Sequence, residues 1–383
     1  MPNSLPSGNS TTNTKSLNVK GSYEKLGENM REAMWWEPLE NNRVRCKLCP
    51  PLNCIIDEGK RGSCKVRKNM GGKLYTLNYG KVSSIATDPP VEKKPLFHFW
   101  PGSCAFSIAT VGCNMHCKHC QNWEISQADE SFPYLHDMTP EMIVTMAKKY
   151  GCESIAYTYN EPTIWYEFVL DTAKLAKKEG LYNLMITNGY INEEPFRELA
   201  PYIDAMNIDI KAFNDEFYMK IASVPSGEPS RKTAVIAKKE FGIHVELTYL
   251  IIPTLNDKEE EIRAFARWVV DELGDDTPVH FSRFFPHYKL LHLPPTPVET
   301  IETAYRVAKE EGLKFVYVGN VPPGHPDEHT YCPPKCGKPL IVRYGFEIVE
   351  YNVTDDGRCR FCGGEPIPIV GTYTKKKYPG MWW

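Results

Sequence analysis

Thirteen cysteines in a chain of 383 residues constrain the fold more than any other feature, because they are not scattered. They fall into Cys46, Cys49, Cys54 and Cys64; then Cys113, Cys117 and Cys120; then Cys332, Cys336, Cys359 and Cys362. Cys104 and Cys152 are left over. In a reducing compartment, cysteines grouped at short spacing bind metal more often than they pair as disulfides. Two groups of four and one of three therefore predict metal centres spread along one chain. The two remaining cysteines are expected to be small buried apolar residues.

Between the outer groups, short β-branched runs alternate with longer amphipathic ones, the pattern of a parallel βα protein. Strands are predicted at 106–110, 154–159, 182–187, 204–210, 244–251 and 279–285, with 314–318 extending the sheet. Helices are predicted near 140–150, 162–179, 193–200, 214–222, 230–241, 257–272 and 298–311. Six strands with crossover helices suit an α/β fold built on a partial (β/α)6 TIM-like barrel, where chemistry gathers at the C-terminal strand ends. A doubly wound sheet gives a similar string. The domain reading is a disordered lead-in at 1–21, a Cys-rich extension at 22–103, the barrel at 104–324 and a four-cysteine appendage at 325–383.

Composition excludes some functions. Hydrophobic residues make up 42% and charged residues 24%, ordinary for a globular chain. A net charge of −3 provides no bulk basic field, so nucleic acid is not expected as a partner. No apolar run approaches the ~20 residues that span a bilayer. The first residues lack the apolar core of a secretion signal. A cytoplasmic protein is expected. Trp35-Trp36 and Trp382-Trp383 suit a membrane-peripheral contact or ordinary packing, and Lys375 to Lys377 a solvated tail.

The central chemistry lies in ATVGCNMHCKHCQNW, which starts at Ala109 after the first predicted strand and spaces its cysteines as Cys113-x3-Cys117-x2-Cys120. Thiolates at this spacing can wrap one 4Fe–4S cluster from a short loop. Three protein ligands leave one iron open, as a catalytic metal site requires. S-adenosylmethionine (SAM) can fill that position through its amino and carboxylate groups, which sets its sulfonium beside a one-electron donor. The radical released then attacks an unactivated C–H bond. The competing reading is a zinc loop that takes His116 or His119 as its fourth ligand.

The loop and the motifs after it resemble the radical SAM superfamily. Glu161, in YTYNEP, is similar to the Glu of that superfamily's Gly-Gly-Glu-Pro segment, which receives SAM's amino group; Tyr159 and Asn160 stand where the glycines would be. Thr187-Asn188-Gly189 and Asp209-x-Lys211 resemble segments of glycyl-radical activating enzymes. The resemblance implies that Asn160, Glu161, Thr187, Asn188 and Asp209 surround SAM or a small cation, and that Lys211 meets its carboxylate. More closely, the chain resembles the AmmeMemoRadiSam system radical SAM enzymes through KRGSCKVRKNMGGKLYTLNYGKVSS, EKKPLFHFWPGS, AYTYNEPTIWYE, VHFSRFFPHYKL and CPPKCGKPLIVRYGF…GRCRFCG. This match runs over roughly 31–371. CPPLNC and CPPKC are each one residue longer than the family's usual spacing, and His119 stands where an aromatic often precedes the third cysteine. An imidazole there can still lie against adenine.

Cys332-x3-Cys336 and Cys359-x2-Cys362, each pair followed by a glycine, predict a closed four-thiolate zinc ribbon or a rubredoxin-like iron site. Cys46, Cys49, Cys54 and Cys64 fit a second structural zinc or an auxiliary iron–sulfur cluster. Along 279–285, alternation puts His280 and Ser282 on one face and Arg283 on the other, with His287 and Tyr288 following. His280 is expected to touch SAM ribose or substrate, or to be a satisfied core histidine. His98 flanks the cavity mouth or packs beneath the barrel. Asn320 bonds SAM or shapes a turn. Asn256 and Asp257 are expected to cap the next helix, backed by Glu260.

The expected function is reductive SAM cleavage to a 5′-deoxyadenosyl radical and hydrogen abstraction from a substrate C–H bond. The substrate classes considered are a partner protein or peptide, long hydrocarbon chains such as archaeal lipid tails, and a small metabolite; the family comparison favours the first. Ferredoxin or flavodoxin is the expected electron donor. A non-enzymatic zinc-ribbon binding module is the alternative of another class, and it leaves Glu161 and Asp209-x-Lys211 without a purpose.

Overall fold

The computed structural model describes residues 30–51, 54–333 and 335–374. The lead-in, Lys375 to Lys377 and the terminal tryptophans lie outside the described residues.

One eight-stranded sheet organises the molecule: β1 (Ser84–Asp88), β2 (Ala105–Ala109), β3 (Ser154–Tyr157), β4 (Tyr182–Thr187), β5 (Ala205–Asp209), β6 (His244–Ile251), β7 (Val279–Arg283) and β8 (Val316–Gly319). The strands lie side by side in chain order, β2 to β8 all parallel, with β1 antiparallel on the edge beside β2. A doubly wound sheet reverses its order partway; this one does not. The seven predicted strands are therefore all present, and β1 is an eighth that periodicity missed. Every residue of β2 and β3 is buried, the two-sided burial that parallel strands require.

Helices α1 (Pro140–Lys149), α2 (Tyr166–Lys178), α3 (Glu193–Leu199), α4 (Glu228–Phe241), α5 (Glu259–Leu273) and α6 (Val298–Glu310) connect the strands. On α5, Ile262, Phe265, Ala266, Val269 and Leu273 recur at helical spacing and are buried against the sheet. α1 starts at Pro140 behind Thr139, whose hydroxyl accepts from the Met142 amide at 3.3 Å. The capping expected of Asn256 and Asp257 is not what forms. α5 begins at Glu259 behind Lys258, with no side-chain cap and with Glu259, Glu260 and Glu261 supplying negative charge in its first turn. Asn256 is instead wholly buried, and its amide accepts from Ile252 N at 2.6 Å and donates to Lys211 O at 2.8 Å. It ties the β6 loop to the end of β5.

Cys104 and Cys152 are buried, as expected, but as a disulfide with Cα atoms 4.5 Å apart. Parallel pairing of Ala105 with Ser154 brings the two chains together at this end of the sheet. A separation of 48 residues hid that neighbourhood from the sequence.

Before β1, Trp36–Pro38, Val44–Cys46 and Ile55–Ile56 form a small antiparallel sheet. After β8, Thr330–Tyr331, Pro339–Tyr344 and Glu347–Tyr351 form the three-stranded ribbon. Arg343 fastens that ribbon to the main body: it is buried, its guanidinium 4.1 Å from the Phe97 ring, and it donates to Thr330 Oγ1 at 2.9 Å and Phe97 O at 3.2 Å. Among the described residues, no helix is long and apolar enough to cross a membrane.

Candidate active site

A cavity of about 610 Å³ opens among the C-terminal ends of the strands. Cys113, Cys117 and Cys120 line it together with His119, Asn160, Glu161, Thr187, Asn188, Asp209, Lys211 and His280. Every sequence-predicted residue of the cluster loop and the SAM site thus reaches one space. Strand register explains part of this, because Asp209, Thr248 and His280 are direct neighbours across β5, β6 and β7.

The loop leaves β2 through Gly112, with φ 89° and no room for a side chain: a Cβ there would lie 2.5 Å from Cys64 O. Asn160 holds the loop from the next strand end, its Oδ1 accepting from Thr110 N at 3.3 Å and its Nδ2 donating to Gly112 O at 2.9 Å. The Asn160 amide is thus engaged with the cluster loop. Its neighbour Tyr159 takes φ 70°, a region that favours glycine, and anchors through its hydroxyl to Asp88 at 2.8 Å.

Glu161 is buried and precedes Pro162, capping a short 3-10 turn. Its carboxylate accepts from Thr163 N at 2.9 Å, Thr187 Oγ1 at 2.7 Å and Asn188 N at 2.8 Å. Burial nevertheless raises its pKa, with those donors working against the shift. Lys211 pairs with Asp209 at 2.7 Å. Burial works against its charge, but Asp209 and then Cys117 outweigh that and keep the ammonium protonated. Burial pushes the His119 imidazole down to about 3, so it is neutral, and its buried Nδ1 has no partner. Burial likewise raises the Cys113 and Cys117 thiols above their ordinary value, which disfavours free thiolates there.

His280 and Ser282 do face the cavity, while Arg283 turns away to Thr296 O at 2.7 Å. His280 Nε2 lies 2.6 Å from Glu246, a fully buried carboxylate. Despite the cost of burial, hydrogen bonds from His244 and His280 hold that carboxyl well below its usual range. His98 is wholly buried beneath the sheet rather than at the mouth, its Nε2 2.5 Å from Tyr317 Oη. Asn320 lines the cavity and shapes its turn, with φ 59° and Nδ2 donating to Arg283 O at 3.0 Å. Tyr288 stacks on Trp123 at 5.1 Å, and Trp35 donates its indole N–H to Glu198 at 3.0 Å.

Several wall residues carried no sequence-based role. Glu92, Lys93, Lys94 and Phe97 close one side, and Gly345 and Phe346 from the ribbon's hairpin tip reach another. Lys94 pairs with Asp88 at 2.8 Å, and burial pushes the Glu92 carboxyl up to about 7. The run EKKPLFHFWPGS was visible, but no spacing rule says that it folds against the strand ends.

In the ribbon, Cys332 and Cys362 sulfurs lie 3.7 Å apart, as do those of Cys336 and Cys359, and all four are within 4.8 Å of one another. This is the compact tetrahedron that one ion with ~2.3 Å bonds to sulfur draws together. The following glycines take φ 64° and 60°, as the knuckles require.

The family model of the radical SAM superfamily, an iron–sulfur, SAM-using class of enzyme, matches residues 107–266, and the chain belongs to that superfamily. Along nearly its whole length it is similar to the uncharacterized protein MJ0808 of Methanocaldococcus jannaschii: 52% identity over 343 residues, covering 89% of this chain and 100% of that one. The putative glycyl-radical enzyme activating enzyme MJ1632 of the same organism is 28% identical over 156 residues, 40% of this chain and 58% of that one. The pyruvate formate-lyase 1-activating enzyme of Escherichia coli K12 is 24% identical over 226 residues, 54% of this chain and 89% of that one. The superfamily implies a 4Fe–4S cluster and SAM, and the residues fit both. Three cysteines outside any disulfide face the cavity beside a charged lysine and the unpartnered His119 Nδ1. The volume lies within the ~300–1,000 Å³ usual for small-ligand sites.

Proposed function

We propose that this chain cleaves SAM reductively at a cluster held by Cys113, Cys117 and Cys120 and abstracts hydrogen from a C–H bond of a partner protein or peptide. The observation that carries this reading is the convergence of those three cysteines with Glu161, Asn188 and Lys211 on one cavity. The chemistry supplied there, with both groups bound, is one-electron cleavage of the sulfonium to a 5′-deoxyadenosyl radical.

The chain's own residues have distinct tasks. Lys211, steered by Asp209, binds the SAM carboxylate; Glu161, aligned by Thr187 and Asn188, takes its amino group. Asn160 fixes the loop that carries the three thiolates. His119 lies against adenine as a neutral ring, and His280, oriented by Glu246, reaches the ribose or the substrate. In this reading the sheet is a partial (β/α)6 barrel, and the segment 92–97 and the ribbon tip wall off the reacting space from water. The ribbon carries zinc or a single iron as a structural ion.

A macromolecular substrate is supported by the relatives named as activating enzymes. A hydrocarbon chain is favoured only by the apolar wall of Phe97, Ile186, Leu250, Val318 and Phe346. The deciding experiment incubates reduced protein and SAM with candidate proteins or with archaeal lipid. Deuterium transferred into 5′-deoxyadenosine from labelled protein supports the first reading, and transfer from labelled lipid alone overturns it.

A further inference from the structure

Cys46, Cys49, Cys54 and Cys64 do not resemble the ribbon set. None of them is in a disulfide, and all are buried or half-buried. Among the described residues, the ribbon supplies the group whose ligand atoms all close within 4.8 Å. Neither the N-terminal four nor the three cysteines of the cluster loop close to that distance. The Cys46 amide donates to Cys54 O at 2.9 Å. Cys49 is half-buried three residues after Cys46, on the bend that follows the Val44–Cys46 strand. A Cβ added at Gly62 would lie 3.2 Å from Ile56 Cδ1, 3.6 Å from Cys54 Sγ and 3.8 Å from Cys64 Sγ, so these two sulfurs flank the same residue.

A buried cation accompanies them. Arg67 is 1% exposed, with Nη1 3.8 Å from Cys46 Sγ and Nη2 2.5 Å from the equally buried Glu167. A guanidinium is expensive to bury unless anions surround it. Glu167 neutralises it, and the added contact with sulfur suits thiolates that carry charge to an assembly of metal ions.

This set abuts the cluster loop directly. The carbonyl of Cys64 fills the space that a Cβ on Gly112 would need, and Ser63 Oγ meets His116 Nε2 at 2.7 Å. Asn114, the residue after Cys113, donates its side-chain N–H to Tyr190 O at 2.7 Å. Asn114 Oδ1 in turn accepts from Asn188 Nδ2 at 2.8 Å, and the Asn188 amide donates to Glu161. One short chain of bonded groups thus joins Asn114, in the cluster loop, to Glu161.

We propose that Cys46, Cys49, Cys54 and Cys64 hold a second iron–sulfur cluster, which relays electrons to the cluster on Cys113, Cys117 and Cys120. The relay rests on the SAM-cleaving reading above. A low-potential one-electron donor protein is oxidised, the outer cluster takes its electron and passes it to the inner one, and SAM is the final acceptor. Four thiolates close the outer cluster's coordination, so it binds no SAM and only carries charge.

The test has two arms. In the first, the Cys113→Ala, Cys117→Ala, Cys120→Ala triple variant is purified anaerobically and analysed for iron, acid-labile sulfide and zinc, with electron paramagnetic resonance after dithionite reduction. The expected result is about four irons with matching sulfide and a reduced-cluster signal, both lost when Cys49→Ala and Cys54→Ala are added. Zinc without sulfide in the triple variant overturns the proposal. In the second, Cys49→Ser/Cys54→Ser is assayed for 5′-deoxyadenosine with reduced flavodoxin and with dithionite. The flavodoxin-to-dithionite rate ratio should fall at least tenfold; an unchanged ratio overturns the relay. The metal arm reads without SAM turnover, so failure of the catalytic reading and failure of this one are distinguishable.

Discussion

Asn160 donates its side-chain N–H to the carbonyl of Gly112 at 2.9 Å, which fastens the end of β3 to the residue that precedes the first cluster cysteine. The cysteine loop is therefore held by a neighbouring strand end. Asn160→Ala removes this bond and the one to Thr110 N, leaving buried groups of the loop unpaired at ~1–3 kcal/mol each. Iron content after gel filtration should fall by half or more, and 5′-deoxyadenosine formation by at least tenfold. An Asn160→Ala protein with full iron and wild-type rate would show that the loop needs no such tether.

Lys211 provides a second test. It is the cavity lysine paired with Asp209. Lys211→Ala should weaken SAM binding by ten- to a hundredfold, since a hydrogen bond to a charged group contributes ~1.5–3 kcal/mol, while the iron content stays at the wild-type level. Lys211→Arg should recover part of the affinity. Equilibrium dialysis with labelled SAM measures both.

The buried histidine beneath the sheet predicts a pH dependence. Burial drops His98 to about 3, against ~6.5 in the unfolded chain. Protons therefore bind the unfolded state first, and the stability present above pH ~6.5 is withdrawn as pH falls toward the folded value. Between pH 6.5 and 5, this one group removes roughly 2 kcal/mol. His119, also near 3, acts with the same sign. Glu92, raised to about 7, acts oppositely, because its folded form holds the proton and loses that stability as pH rises. Comparing chemical denaturation of wild type and His98→Gln at pH 7 and pH 5 isolates His98. The variant should lose less stability on acidification, and equal losses would contradict the assignment.

Cys359→Ala opens the ribbon's four-sulfur site. Loss of the ion should lower the melting temperature by ~4 °C or more, the size of a ~2 kcal/mol change in a chain of this length. Since Gly345 and Phe346 at the ribbon tip line the cavity, substrate-dependent turnover should fall further than SAM binding. Differential scanning fluorimetry alongside SAM dialysis checks both effects.

Much of this was legible in the sequence for simple reasons. Parallel strands are short, β-branched and separated by amphipathic helices, so seven of the eight sheet strands announced themselves. β1 did not, because the edge strand Ser84–Asp88 is half exposed and carries no buried run. The cysteine loop, Glu161 and Asp209-x-Lys211 are local patterns, and their positions at strand ends bring them together. What stayed hidden depends on contacts distant in sequence. The Cys104–Cys152 pairing follows from strand register, and Asn256 looked like a cap because capping is the local use of an Asn before a helix. The wall built from Glu92, Lys94 and the ribbon tip exists only once two segments distant in sequence have packed at the strand ends.

The most direct test of the account is 5′-deoxyadenosine production by anaerobically purified protein, with Cys117→Ala measured beside it. The account predicts an iron–sulfur chromophore and SAM-dependent release of 5′-deoxyadenosine from the wild type, with release abolished in a Cys117→Ala protein that remains folded by circular dichroism. Wild-type protein that carries zinc alone, or a Cys117→Ala variant that cleaves SAM at the normal rate, would contradict it.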